Sequence, residues 1–402
     1  MKKTLAAVAV LGAFAGSALA ADVQLYGIVD TGVRYMHRDF DVSNGYGNGS
    51  YDATDSFSME SGMASGSRWG LKGTEELGNG LTVGFVLEDG FTSDNGAEKG
   101  EMFDRESSLF LQGGFGKFAM GRIGSINGGV SSWAKHGVMS AFGTSWQGYS
   151  ANADNIFGNS GQWDNMIAYE TPDFAGFKVF AQYGMGSNDN ENESSSDRYY
   201  AIGASYANGP LNLFLSVDST NYKSWDSATK TASDPDDAWT VRFGGNYDFE
   251  VVKIFAGFSY FDNAKLSNYS GILSDRIKYQ LKGGLGEDSV TTNMNKMQMQ
   301  GWSLGVSASV PVAGGQVLAG VGYLDAEASD SVAAVESYGS ASKDAEMSRW
   351  VVSVGYDYPF SKRTDVYAVA TFNQDSVEFN NAQMKDEDPS AYGVMIGLRH
   401  RF

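Results

Sequence analysis

Between Ser390 and Phe402 the chain alternates in strict two-residue steps. Tyr392, Val394, Ile396, Leu398 and Phe402 share one face, while Ala391, Gly393, Met395, Gly397, Arg399 and Arg401 share the other. Neighbouring side chains of a strand point to opposite sides, so the segment has one greasy face and one small or charged face. The device recurs upstream. Leu211, Leu213, Leu215 and Val217 alternate with Asn212, Ser216 and Asp218, and Trp239, Val241, Phe243 and Tyr247 alternate with Thr240, Arg242 and Asn246. Trp302 to Val310 alternates against Ser303, Ser307 and Ser309, and Trp350 to Tyr356 against Arg349, Ser353 and Asp357. A strand with lipid on one side and water on the other needs this pattern, and an edge strand of a soluble sandwich also shows it.

The connectors decide between the two. Seven are short and rich in turn residues: Gly78-Asn79-Gly80, Gly114-Phe115-Gly116, Asp173 to Gly176, Asn208-Gly209-Pro210, Tyr247 to Glu250, Pro311 to Gly315 and Pro359 to Lys362. Between them run long polar, acidic connectors such as Arg38–Phe57, Asn188–Ser196, Lys223–Asp236, Ala264–Lys296, Glu327–Ala345 and Val377–Pro389. Seven short turns with both chain ends on their side require eight long loops, hence about sixteen strands, the arrangement of a transmembrane barrel. Each segment can supply the roughly 9–11 residues a tilted strand needs to cross the hydrocarbon. A soluble sandwich of that size would break into domains, and no linker appears. The expected fold is all-β, a transmembrane antiparallel up-and-down barrel of sixteen strands in a single domain over residues 21–402. Trp239, Trp302, Trp350, Tyr247, Tyr356, Tyr358 and Phe360 gather at strand ends, where amphipathic rings meet a membrane interface.

Residues 1–20 carry Lys2 and Lys3, an apolar run from Leu5 to Phe14 and a small-residue end at Ala18-Leu19-Ala20, which reads as a secretory signal peptide cut after Ala20. Cleavage leaves 27 basic residues against 48 acidic ones, a charge of about −21 that argues against nucleic acid as a partner. Mean hydropathy below zero would suggest a soluble chain, but in a barrel only alternate residues meet lipid. Cysteine is absent, so an exported chain of this length depends on a closed hydrogen-bonded ladder rather than disulfides. Three histidines, His37, His136 and His400, lie far apart in the sequence and form no triad-like order. No Cys/His metal spacing occurs, and the Gly-x-Gly repeats read as turns, so neither an enzyme nor a cofactor or metal is expected.

Val23–Val33 (VQLYGIVDTGV) and Ser67–Leu81 (SRWGLKGTEELGNGL) resemble the general trimeric porins of Gram-negative bacteria, most of all the branch found in beta-proteobacteria. Arg105–Arg122 (RESSLFLQGGFGKFAMGR), Ile167–Pro172 and Gly397–Phe402 extend the resemblance over the whole mature chain. It implies a homotrimer in the outer membrane that passes small hydrophilic solutes and ions by diffusion. It implies that the third outer loop folds inward to narrow the pore, and that Phe402 serves as an assembly signal for the barrel-assembly machinery. The candidate inward loop is Ile126–Gln162, which carries Trp133, Lys135, Trp146, Tyr149 and Asp154, with Gln162 and Asp164 at its end.

Selectivity then rests on the charges at the constriction. Arg68 and Arg105 lie roughly nine residues from short turns, near mid-depth, and match arginines of the basic wall in related porins. Lys72 shares a face with Arg68, and Arg34 is expected higher on the same side. Plain alternation leaves Arg105 ambiguous, since Leu109 and Leu111 share its parity. Gln162 departs from a basic position in relatives, and the inward loop has one acid, Asp154, in place of their acidic pair. Retained arginines facing few acids imply a weak anion preference. Acidic outer loops (Asp189, Glu191, Glu193, Asp234, Asp236, Asp237) oppose it only through salt-screened water. They are also candidates to contact lipopolysaccharide phosphates through divalent cations. By resemblance Arg122 is a candidate subunit latch for Glu98 and Glu101 of a neighbour, with a local ion pair as the alternative. The rival function is a substrate-specific channel in which Trp133 and Trp146 form a sugar-stacking path.

Overall fold

The computed structural model describes residues 22–39, 42–43, 50–51, 54–128, 130–146, 150–186, 196–226, 231–233, 236–265, 298–329, 345–379 and 388–402. The expected signal peptide lies outside them, as do Tyr149, Asp189, Glu191, Glu193 and Asp234. Sixteen wall positions follow in chain order. β1 is Asp22–Asp39, and β2 is one wall strand in two pieces, Thr54–Ser61 and Arg68–Gly78. β3 is Leu81–Gly90, β4 Glu106–Gly113, β5 Gly116–Gly124, β6 Gln162–Glu170, β7 Phe177–Gly184 and β8 Arg198–Asn208. β9 is Leu211–Asn221, β10 Ala238–Asp248, β11 Lys253–Lys265 and β12 Gln298–Val312. β13 is Gly315–Ala328, β14 Ala345–Pro359, β15 Thr364–Phe379 and β16 Ser390–Arg401.

Every neighbour pairs antiparallel, and β1 pairs with β16 from Ile28↔Arg401 to Asp39↔Ser390, so the sheet closes on itself. Closure leaves no free edge and satisfies the ladder without water, which is what a β-structure in lipid requires. Phe402 finishes the seam: its N–H donates to Gly27 O at 3.1 Å, and Gly27 N–H donates to Phe402 O at 3.1 Å. All seven short connectors expected from the sequence are turns between consecutive strands, and the longer ones join the opposite strand ends. At the first turn Gly78, Asn79 and Gly80 all take positive φ, which explains why glycine and asparagine stand there. Strand bounds reach further than the connectors suggested: β1 runs to Asp39 and β2 begins at Thr54.

The alternation holds on the wall. Tyr392, Val394, Ile396 and Leu398 are about half exposed, while Ala391, Gly393, Met395 and Arg399 between them are buried. Leu215, Phe243, Leu304, Val306, Val352 and Val354 extend the greasy outside around the barrel. A continuous apolar exterior of this extent belongs in lipid rather than water. Trp302, Tyr323 and Trp350 lie side by side in tilted contact on that exterior, with ring centroids 5.5 and 4.6 Å apart, towards the long-loop end. Tyr356, Tyr358 and Phe360 do so at the short-turn end. These are the two aromatic belts of a membrane barrel.

Candidate pore constriction

The buried apolar clusters lie inside the barrel, between the wall and residues 125–161, the third long connector. This segment is no structureless loop. It contains a 3-10 turn at His136–Met139 and a short helix, α1, at Ala153–Phe157, capped by Asn152, whose side chain accepts the Asn155 N–H. Glycines on the inner face of β10–β14 form the shelf that receives it. A Cβ at Gly257 would meet Phe157 at 2.7 Å and Met139 at 2.9 Å, at Gly322 it would meet Ile156 at 2.5 Å, and at Gly320 it would meet Ala151 at 3.1 Å. Only hydrogen at these positions lets the loop sit flush with the wall.

Polar anchors fix the loop along the same wall. Ser307 Oγ accepts from Ala141 N–H and Ser353 Oγ from Ala151 N–H, both at 2.9 Å. Asn246 Nδ2 donates to Val138 O at 2.9 Å. Two arginines, each only 2 % exposed, complete the attachment. Arg242 donates from Nε to Phe157 O at 3.0 Å and pairs with Asp218 at 2.9 Å, and Asp218 also accepts from Asn127. Arg349 pairs with Asp375 through two bonds of 2.7 and 2.8 Å and donates to Asn155 Oδ1 at 3.3 Å. In the sequence Arg242 and Arg349 read only as polar wall positions. Their partners lie 24 to 194 residues away, and no local signal reveals them.

Opposite the shelf, β2 leaves the ladder between Ser61 and Arg68. The upper half of β1 pairs with Thr54–Ser61 and the lower half with Arg68–Thr74. Residues 62–67 turn inward onto fully buried Asp30, whose Oδ2 accepts from Ala64 N at 3.0 Å and Ser65 N at 2.7 Å. Tyr367 reaches the same carboxylate from β15. The break delivers Arg68 into the lumen at mid-depth.

Between this wall and the loop lies an open cavity of about 730 Å³. Arg68, Lys72, Lys99 and Arg105 line it, with Glu88, Glu106 and Asp154. Arg105 belongs there because it precedes the ladder: the β3–β4 register ends at Glu88↔Glu106, Glu106 occupies the inward slot, and Arg105 is free of strand alternation. Its Nε donates to Glu88 Oε1 at 2.6 Å, while Arg68 Nε lies 3.4 Å from Glu88 Oε2 and Tyr26 Oη donates to that oxygen at 3.0 Å. The expectation of few opposing acids is corrected here. The acid facing the arginines sits on the wall itself, at Glu88, rather than on the loop. Glu106 is almost wholly buried, and Ser132 N and Oγ and Ser108 Oγ donate to it at 2.8, 3.0 and 2.8 Å. Asp154 lies 2.7 Å from His136 Nε2 and accepts from Asn159 at 3.2 Å. Neither Lys72 nor Lys99 has a carboxylate partner among the described residues, and Lys72 Nζ lies 5.2 Å from the Tyr26 ring centre.

The remaining expected site residues scatter. Arg34 faces inward but higher up, beside Glu60 at 2.6 Å, and does not line the cavity. Trp146 does line it, packed edge-on against Tyr367 with centroids 5.1 Å apart. Trp133 is 1 % exposed in a separate cluster with Ile126, Phe180 and Tyr199. The two tryptophans therefore form no continuous stacking path, which removes the feature that favoured a sugar-specific channel. Gln162 starts β6 opposite Gly124, and Lys135 sits over Phe180, both away from the cavity. Arg122 shares the outward parity of exposed Met120 and is held within its own chain, by Asp164 and by Asp104 O at 2.6 Å. A latch is not needed to fix it, and Glu98 and Glu101 stand exposed. Lys99, Glu88 and Glu106 were not singled out in the sequence. Only strand register and the fold of residues 91–105 bring them to the lumen.

A family model described as Gram-negative porin matches residues 6–377. An outer membrane porin protein of Bordetella pertussis is 33% identical over the whole of both chains, and outer membrane porin protein 32 of Delftia acidovorans is 30% identical, again over both in full. Among solved structures, an anion-selective porin from Comamonas acidovorans superposes with a TM-score of 0.63 at 24% identity, covering 95% of this chain and 100% of that one.

Proposed function

From the premise that the chain belongs to the Gram-negative porin family, and so forms an outer-membrane channel for passive diffusion of small hydrophilic solutes and ions, we propose that its constriction is the cavity between Arg68, Arg105 and the inward loop, with a weak preference for anions. One observation carries the preference. Four cations, Arg68, Lys72, Lys99 and Arg105, line the cavity against three carboxylates, Glu88, Glu106 and Asp154, and neither Lys72 nor Lys99 has a carboxylate partner among the described residues. The cavity therefore keeps a small positive excess where a passing ion is closest to the wall. The anion selectivity named for the Comamonas protein supports the same reading.

Three chains assemble around the threefold axis usual for such barrels, Phe402 directs folding by the barrel-assembly machinery, and the acidic outer rim meets lipopolysaccharide. Residues 1–20 are removed as a signal peptide and residues 21–402 fold as one barrel domain. Bilayers holding the purified protein in a tenfold KCl gradient test the selectivity. A zero-current potential of the sign set by chloride supports it, and a potential of the sign set by potassium rejects it.

A further inference from the structure

Beneath the inward loop the lumen wall carries a second basic group, separate from the constriction. Lys117 is the second residue of β5, on the inward parity of buried Ala119, and Lys178 is the second residue of β7, on the inward parity of buried Phe180. Lys135 hangs from the loop above them. Register makes them neighbours: Lys117 stands opposite Glu170 on β6, and Glu170 stands opposite Phe180 on β7. Lys178 Nζ lies 2.7 Å from Glu170 Oε1. Lys117 Nζ lies 4.2 Å from the Phe110 ring centre and 5.0 Å from that of Trp133, and Lys135 Nζ lies 5.2 Å from Phe180.

We propose that Lys117, Lys135 and Lys178 form an anion-binding station on the short-turn side of the constriction, suited to small multivalent oxyanions such as polycarboxylates. Three ammoniums face two carboxylates, Glu170 and Glu106, which leaves one positive charge in excess. Serine donors hold Glu106 on the far side of the group, through Ser132 and Ser108, and Glu170 is the carboxylate paired within it. The aromatic faces of Phe110 and Trp133 hold Lys117, and that of Phe180 holds Lys135, by their π-clouds and shield one side of those two ammoniums from water, which strengthens a charge–charge contact on the open side. Burial pushes the Lys135 ammonium below its ordinary range; Glu170 pulls the other way, and Lys178 and Lys117 add to the burial effect. An arriving anion relieves that mutual repulsion, so charge on the ligand and charge on the lysines reinforce each other. A single-valent ion gains one such contact, whereas a tricarboxylate can meet all three.

The station depends on the chain being a diffusion channel but not on the sign of its selectivity. Citrate is the probe, added to either side of single channels in KCl, with block scored against each variant's own open conductance. Wild type should show voltage-dependent citrate block that is stronger from one side. K117Q/K178Q should raise the half-blocking concentration several-fold. E170Q, which removes the competing carboxylate, should lower it several-fold, a gain that misfolding cannot mimic. Absence of citrate block in wild type, or a half-blocking concentration unmoved by E170Q, overturns the proposal. A potassium-selective zero-current potential alongside intact citrate block would reject the constriction reading and leave this one standing.

Discussion

The Phe157 ring lies directly over Gly257, so that a Cβ on that glycine would stand 2.7 Å from Phe157 Cζ. This contact joins the last turn of α1 to the inner wall of β11, and with Gly305 and Gly322 it sets how far the inward loop projects into the lumen. Pore size is thereby written into the wall as much as into the loop.

Gly257→Val should push α1 off its shelf, since overpacking of a close contact costs about 1–3 kcal/mol and the loop is the softer partner. Liposome swelling should then change: displaced from the wall towards the cavity, the loop narrows the passage, so sugars near the size limit enter more slowly than through wild type, while the barrel stays folded. An unaltered size limit would show that the shelf does not position the loop.

Arg349 and Asp375 form a fully buried pair on β14 and β15. Replacing Arg349 by Met strands an uncompensated carboxylate and should destabilise the barrel by about 3–5 kcal/mol, whereas Arg349→Met with Asp375→Asn should recover most of it. Urea unfolding followed by tryptophan fluorescence distinguishes the two. Equal losses in the single and double variants would mean that the pair's charge is not what matters.

Glu88 contacts both Arg68 and Arg105 in the lumen cavity, so Glu88→Gln should expose their charge to a passing ion. One unit charge about 6 Å from an ion in water contributes roughly 0.7 kcal/mol, about threefold for each ion and of opposite sign for the two, hence about tenfold in their permeability ratio before screening. The chloride-over-potassium ratio should rise by up to that factor in low salt and by less in high salt. A ratio unchanged at low salt would place Glu88 outside the ion path.

The barrel itself was legible in the sequence because lipid imposes a rule on every second residue: Val394, Ile396 and Leu398 had to be apolar, and the seven turns had to hold residues that bend. The lumen obeys no such rule. Gly257 and Gly322 look like gaps in an alternating strand until Phe157 and Ile156 are seen above them. Arg68 was readable from its depth and parity, but Arg105 was not, because it stands just off the ladder. Glu88 escaped notice because its meaning comes from partners on β1, β2 and beyond β3, which only the closed register assembles.

The seam between Gly27 and Phe402 yields another expectation. Phe402→Ala keeps both backbone hydrogen bonds but removes the ring that covers Gly27. Cells should then accumulate unfolded precursor, while detergent-refolded protein keeps nearly wild-type conductance. Normal assembly in cells would show that the ring is no assembly signal.

The most direct measurement is single-channel conductance of the purified protein in the presence of polyethylene glycols of increasing size. Small polymers should enter and lower the conductance, and above a sharp cut-off they should leave it unchanged, with the cut-off moving downward in Gly257→Val. A bilayer that stays electrically silent, or a conductance indifferent to polymers of every size, would contradict a water-filled barrel narrowed by a loop docked on glycines.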